Sequence, residues 1–141
     1  MWGMFECNKN VTYIDMSGID LSSIENMRYM FDGCEKLKKL NIDNVYVTGE
    51  VGVIMMFRNC KSLTRLNLSN FKITPESLYG MLYNCIKLEY VDLSGINPEQ
   101  LTCKDDISYF GNSRALKHII LPEELVKKIL FNCRNVNIDI V

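Results

Sequence analysis

The chain repeats itself. Taking Cys34 as an anchor, apolar residues follow three, six and eight positions on, at Leu37, Leu40 and Ile42. Cys60 is followed in the same spacing by Leu63, Leu66 and Leu68, and Cys85 by Leu88, Val91 and Leu93. Ser113 replaces the cysteine ahead of Leu116, Ile119 and Leu121, and Asn8 replaces it ahead of Val11, Ile14 and Met16. Cys133 with Val136 opens a last, truncated copy. The anchors are separated by 26, 26, 25, 28 and 20 residues, so about five full copies and a partial sixth fill nearly all of the 141 residues. Such a period belongs to architectures in which each copy buries its apolar face only by stacking on its neighbours.

The L-x-x-L-x-L spacing is that of a leucine-rich repeat. Its closing x-L-x-L alternates with period two, as a short strand with one buried face must. The expected fold is therefore α/β: a leucine-rich repeat solenoid of about five repeats of 25–28 residues plus a partial C-terminal one. Parallel strands form its concave side and helices its convex side. One domain spans 1–141, with an N-terminal cap over about 1–8, where Trp2 and Phe5 cover the first rung, and the partial repeat over about 122–141.

Helices are predicted between the strands. "SSIENMRYMFDGC" offers Ser22 as N-cap with Glu25 three residues on, a capping-box arrangement. "TPESLYGMLYNC" has Thr74 as N-cap and Pro75 at the first helical position, where a missing N–H costs nothing. "TCKDDISYFGN" starts at Thr102, and "PEELVKKILFNC" starts at Pro122 with acidic residues suited to a helix N-terminus. "TGEVGVIMMFRN" is the weakest candidate, because Gly49, Gly52, Val51, Val53 and Ile54 lower helix propensity. The position before each anchor holds Gly33, Asn59, Asn84, Asn112 and Asn132. Those residue types tolerate the left-handed conformation that ends a helix.

Six cysteines in a chain this long and apolar are not needed as staples. Cys34, Cys60 and Cys85 are expected to stack as buried, reduced thiols one rung apart, since free cysteine behaves as a small apolar residue. Side chains standing parallel at the ~4.8 Å rung spacing would have to twist and close up to form a disulfide. Ser113 and Asn8 in the same place argue the same way. No C-x-x-C occurs and His118 is the single histidine, so neither a metal nor any other cofactor is expected. A cysteine nucleophile with His118 as base is the sharpest enzymatic idea, but no activating motif carries it, and no catalytic residue is assigned. Free thiols point weakly to a reducing compartment.

A net charge of −1 offers no basic field for a phosphate backbone, so general nucleic-acid binding is disfavoured. No run of about 18 apolar residues is present, so no membrane span is predicted. The N-terminus "MWGMFECNKN" lacks the pattern of a signal peptide. The cytoplasm is the expected location, with secretion or the cell surface as the alternative if an export signal has been removed.

The unit resembles the BspA-like leucine-rich repeat family, whose pattern reads approximately M-F-x-x-C-x-x-L-x-x-L-D-L-S-x-F. The match is close in "IDMSGIDLSSIENMRYMFDGCEKLKKL", "MMFRNCKSLTRLNLSNF" and "MLYNCIKLEYVDLSGI". With the weaker copies it covers most of residues 4 to 121. The resemblance implies a binding scaffold with no shared catalytic residues. Relatives are often large surface proteins linked to adhesion, whereas this chain is short and shows no wall anchor.

On such a scaffold the residues between the buried leucines face a partner. The first column is Tyr13, Lys39, Arg65, Tyr90 and His118, the second Asp15, Asn41, Asn67, Asp92 and Ile120, and a third Ser17, Asp43, Ser69 and Ser94. Tyrosine and arginine dominate interface energetics. The Asp/Asn and Ser columns belong to the repeat pattern and suit turns and backbone hydrogen bonds. The expected function is a non-enzymatic protein-interaction module binding a protein partner, as a small intracellular inhibitor or adaptor from a bacterium, mobile element or phage. A secreted or surface adhesin for host ligands is the alternative. At the C-terminus, "NVNIDIV" is an apolar, strand-like edge, expected either to form a homodimer with a second copy or to meet the partner.

Overall fold

The structure, a computed structural model, describes residues 1–43, 45, 52–73, 78–97, 110–129 and 137–140, without the side chains of 127–129. Thr74, Pro75, Thr102, Cys103, Asn132, Cys133 and Val136 lie outside the described residues, as do Gly49 and Val51. Among the described residues six short strands follow one another: β1 (Tyr13–Asp15), β2 (Lys39–Asn41), β3 (Arg65–Asn67), β4 (Tyr90–Asp92), β5 (His118–Leu121) and, after helix α1 (Glu123–Ile129), β6 (Asn137–Ile140). All pairings are parallel, in two sheets: β1–β2, and β3–β4–β5–β6. β1 to β5 lie where the x-L-x-L alternation predicts them.

The registers repeat the copy spacing. Tyr13 faces Lys39, Arg65 faces Tyr90, and Tyr90 faces His118. The last strand departs from it: Asn137, not Ile138, lies opposite His118. In the other copies the residue at that rank follows its anchor by five positions, yet Asn137 follows Cys133 by four. The partial copy is therefore shorter than a count from Cys133 implies.

Between β2 and β3 the front ladder is broken. Met16, Leu68 and Leu93 donate their N–H groups to Asn41, Asp92 and Ile120 of the following copy, but among the described residues Ile42 makes no such bond to Asn67. Thr12, Thr64 and Glu89 each accept from two N–H groups of the next copy, whereas Lys38 accepts none from Thr64 or Arg65. Leu40, beside this seam, is only partly buried, whereas its equivalents Ile14, Leu66, Val91 and Ile119 are buried.

The segments behind the strands correct the helical expectation. From Ser22 to Cys34 there is no helix. Met30, Asp32 and Cys34 donate to the carbonyls of Met27, Tyr29 and Phe31, three residues back, closing successive tight turns. The residues between them reach outward instead: Met27, Tyr29, Phe31 and Gly33 donate to Gly52, Ile54, Met56 and Arg58 of the next copy. Alternate amides thus close local turns and lace neighbouring copies together. The same pattern recurs in the described parts of the copies ending at Asn8, Cys60 and Cys85.

Two left-handed positions per copy make this possible. The residue before the anchor has positive φ in every described copy: Cys7 58°, Gly33 73°, Asn59 62°, Asn84 63° and Asn112 64°. The sequence reading anticipates this for the glycine and asparagines, although they complete a tight turn and not a helix. Four residues earlier, Gly3, Tyr29, Met55 and Gly80 are also left-handed, at 59°, 59°, 53° and 59°. A positive φ at the third residue of a four-residue turn is what a type II turn needs. A second such residue in the middle of the segment also excludes a continuous right-handed helix. Pro122 and the acidic first turn of α1, Glu123 and Glu124, do begin a helix as predicted, and it buries Leu125 and Val126.

Behind the turns lies a stack of aromatic rings. Phe5 and Phe31 stack at 5.5 Å between centroids and Phe31 and Phe57 at 5.2 Å, with nearly parallel planes. Leu82 and Phe110 continue the position. Phe5 covers the first rung as expected. Trp2 does not: it is 69% exposed and only tilts against Tyr29.

The anchors form the buried ladder read from the sequence. Cys34, Cys60 and Cys85 are free and buried, and their thiols donate to the carbonyls of Phe5, Phe31 and Phe57 at 3.2, 3.2 and 3.1 Å. Ser113 does the same to Leu82 at 2.8 Å, which is why serine can stand in for cysteine there. Burial pushes the Cys34 thiol up to about 11 and that of Cys85 up to about 12, and raises Cys60 well above its ordinary value. All three hold their proton at neutral pH, as donors must.

Beside the thiols runs a second ladder. Asn112 donates its side-chain amide to Asn84 at 2.7 Å, Asn84 to Asn59 at 2.9 Å, and Asn59 to Asp32 at 3.3 Å. Gly33 has no side chain to continue it, and the buried carboxylate of Asp32 closes the row. Arg58 meets that carboxylate with both Nε and Nη2, so the buried charge is compensated.

Candidate functional site

The outward faces of the strands carry the candidate site. A strand points alternate side chains to opposite sides, so Ile14, Leu66, Val91 and Ile119 face the core and their neighbours face out. The first-column residues fall in two groups separated by the seam. In one, Lys39 sits 5.6 Å from the Tyr13 ring. In the other, Arg65 lies 4.1 Å over the ring of Tyr90, which in turn tilts against His118 at 5.4 Å. These are cation–π and aromatic contacts between neighbouring strands. Tyr13, Lys39 and Arg65 are exposed, and Tyr90 and His118 are half-buried.

The second column has a local occupation. Asp15, Asn41, Asn67 and Asp92 each accept the backbone N–H two residues on, from Ser17, Asp43, Ser69 and Ser94 at 2.9, 3.1, 2.9 and 3.0 Å. These are Asx turns that steer the chain out of each strand. Ser17 and Ser94 add their hydroxyls to the same carboxylates. Hydrogen bonds from Ser17 and from the Tyr13 hydroxyl hold the Asp15 carboxyl well below the usual carboxylate range, and donation to Asp15 raises the Tyr13 phenol. Ile120 replaces the acceptor in β5 and is half-buried.

β6 extends the face in a way the sequence reading missed. Asn137 joins the first column, and Asp139 joins the second and pairs with Nε2 of His118 at 2.5 Å. The alternation in "NVNIDIV" signalled a strand, but the shortened last copy hid its rank. His118 is thus engaged by Tyr90 and Asp139. Cys7, the exposed thiol, hydrogen-bonds to Asp32 through its backbone. Among the described residues no three His, Cys, Asp or Glu side chains converge as a metal site would require, and no helix is long and apolar enough to cross a membrane.

The parallel strands carry cations and aromatic rings at one rank, while the adjoining column is spent on the turns. No curated protein gives a significant match to the chain. A family model matches residues 1–120, and the chain belongs to the family described as Mycoplasma protein of unknown function, DUF285.

Proposed function

We propose that this chain is a non-enzymatic interaction module, a leucine-rich repeat solenoid of the BspA-like kind, that binds a protein partner through the outward, concave face of its strands. The observation that carries this reading is the contrast between the two columns. The second is consumed by turn hydrogen bonds. The first is not required by the fold, yet it aligns Tyr13, Lys39, Arg65, Tyr90 and His118 in successive ranks. Preorganised tyrosine and arginine side chains cost little entropy to dock. The family's association with BspA-like repeat proteins supports the scaffold reading. A bacterial intracellular inhibitor or adaptor is the role we favour.

The test is affinity capture from bacterial and host lysates with wild type beside a Lys39→Ala, Arg65→Ala, Tyr90→Ala triple variant, followed by titration of any retained protein in purified form. Loss of at least tenfold in affinity, with an unchanged circular dichroism spectrum, is expected. Equal affinity of the folded variant would refute the face. Binding to host cell surfaces or matrix in place of a lysate protein would move the chain to the adhesin class.

A further inference from the structure

Four ion pairs form among the described residues. Arg58 meets Asp32, Lys61 meets Glu35, Lys117 meets Glu89 and His118 meets Asp139. Lys39 and Arg65, at the same rank on either side of the seam, form none; each instead has an aromatic ring on its far side, Tyr13 for one and Tyr90 for the other. The second column reinforces the contrast. Carboxylates occupy the outer copies at Asp15 and Asp92, while the two copies flanking the seam carry the neutral amides Asn41 and Asn67. Of the two carboxylates four residues from Lys39, Glu35 is taken by Lys61 and Asp43 stands one column further on. A chain with net charge −1 thus places two cations, neither of them ion-paired among the described residues, in adjacent copies at the middle of its strand face. Each ring lies on the neighbouring strand away from the seam, where the front ladder is broken.

We infer that this face takes an extended acidic segment of the partner protein, with carboxylates seated on Lys39 and Arg65 across the β2–β3 seam. The inference rests on the strand face being the binding surface. Two cations at one rank suit consecutive or alternate carboxylates of a peptide, since a guanidinium grips a carboxylate in two-point fashion and an ammonium acts as a point charge. Tyr13 and Tyr90 then supply apolar walls for the stem of each acidic side chain. Charge complementarity of this kind fixes partner choice and speeds encounter.

The probe is a fluorescein-labelled hexaglutamate peptide, titrated by anisotropy at low salt and again at 0.15 M salt. Three proteins are compared: wild type, Lys39→Gln/Arg65→Gln, and Lys61→Gln/Lys117→Gln, which removes the same charge elsewhere. Wild type and the second variant should bind alike, the first at least tenfold more weakly, with affinity falling as salt rises. Absence of wild-type binding, an equal loss in both variants, or tighter binding of a single-stranded oligonucleotide of equal charge would each overturn the inference. The capture experiment keeps the two readings apart: a partner lost in the alanine variant, from a protein that ignores hexaglutamate, sinks the acidic segment but not the face.

Discussion

Asn84 combines two burdens that can be separated by substitution. Its side chain is the middle member of the amide ladder, donating to Asn59 at 2.9 Å and accepting from Asn112 at 2.7 Å. Its backbone is left-handed, with φ of 63°. Asn84→Gly removes both ladder bonds but keeps the conformation free of strain, as Gly33 does at the same place. Two hydrogen bonds at about 0.5–1.5 kcal/mol each, plus the entropy of an added glycine, give a loss of about 2–3 kcal/mol. Asn84→Ala also loses both bonds and puts in the left-handed region a residue without asparagine's tolerance of it, at about 1–2 kcal/mol, for a total of about 3–4 kcal/mol. Urea denaturation of the three proteins, with midpoints compared at a common slope, measures both differences. An alanine variant as stable as the glycine variant would show that the left-handed turn is not what sets this position. A glycine variant within about 0.5 kcal/mol of wild type, below what even one such bond contributes, would show that the ladder contributes nothing.

Three further outcomes follow from the same geometry. Under native conditions at pH 8, N-ethylmaleimide with peptide mapping should label Cys7 and spare Cys34, Cys60 and Cys85, because burial holds those thiols protonated and covered; native labelling of Cys85 at the rate of Cys7 would contradict this. Asp15 has its folded pKa depressed, so its contribution is complete above the unfolded carboxyl value near ~4 and is lost as pH falls through that value toward the lower folded one. Asp15→Asn, mimicking Asn41 and Asn67, should be nearly neutral at pH 7 and lose less stability than wild type below pH ~4, and parallel acid titrations of the two proteins would refute the assignment. A Cβ at Gly95 would lie 2.3 Å from the Phe71 carbonyl oxygen and 2.6 Å from that of Ser69. Gly95→Ala should therefore cost about 1–3 kcal/mol by thermal melting; a neutral substitution would show that the two copies approach less closely there.

The strands were legible because their signal is redundant. Five copies place apolar residues at the same offsets, and an error in one is corrected by the others. Ser113 can take the cysteine's place because both side chains give one proton to a backbone carbonyl of the preceding copy. The helices were misread for a physical reason. Met27, Met30, Phe31 and Cys34 are all fully buried, and their i, i+3, i+4, i+7 spacing is that of a helix face. Tandem tight turns bury the same set. The distinguishing clue lay across copies: Gly3 and Gly80 occupy the rank of Tyr29 and Met55, so a left-handed residue was written twice as glycine and twice disguised. In the candidate site the five first-column residues could be ranked in advance. Asp139 and the seam could not, because one depends on a shortened copy and the other on a hydrogen-bond ladder that side-chain patterning does not encode.

The amide ladder has a direction. Every donor points toward the N-terminal copies, and the row stops at a carboxylate that can only accept. A gene segment encoding one more copy could be inserted after Asn59 and would find a donor on one side and an acceptor on the other. The same segment placed before this copy would meet no amide at Gly33, and the row would still end at Asp32. Lengthening by duplication is thus easier toward one terminus than the other, and arrays built from this unit should differ in length mainly on the C-terminal side of their ladder-closing acid.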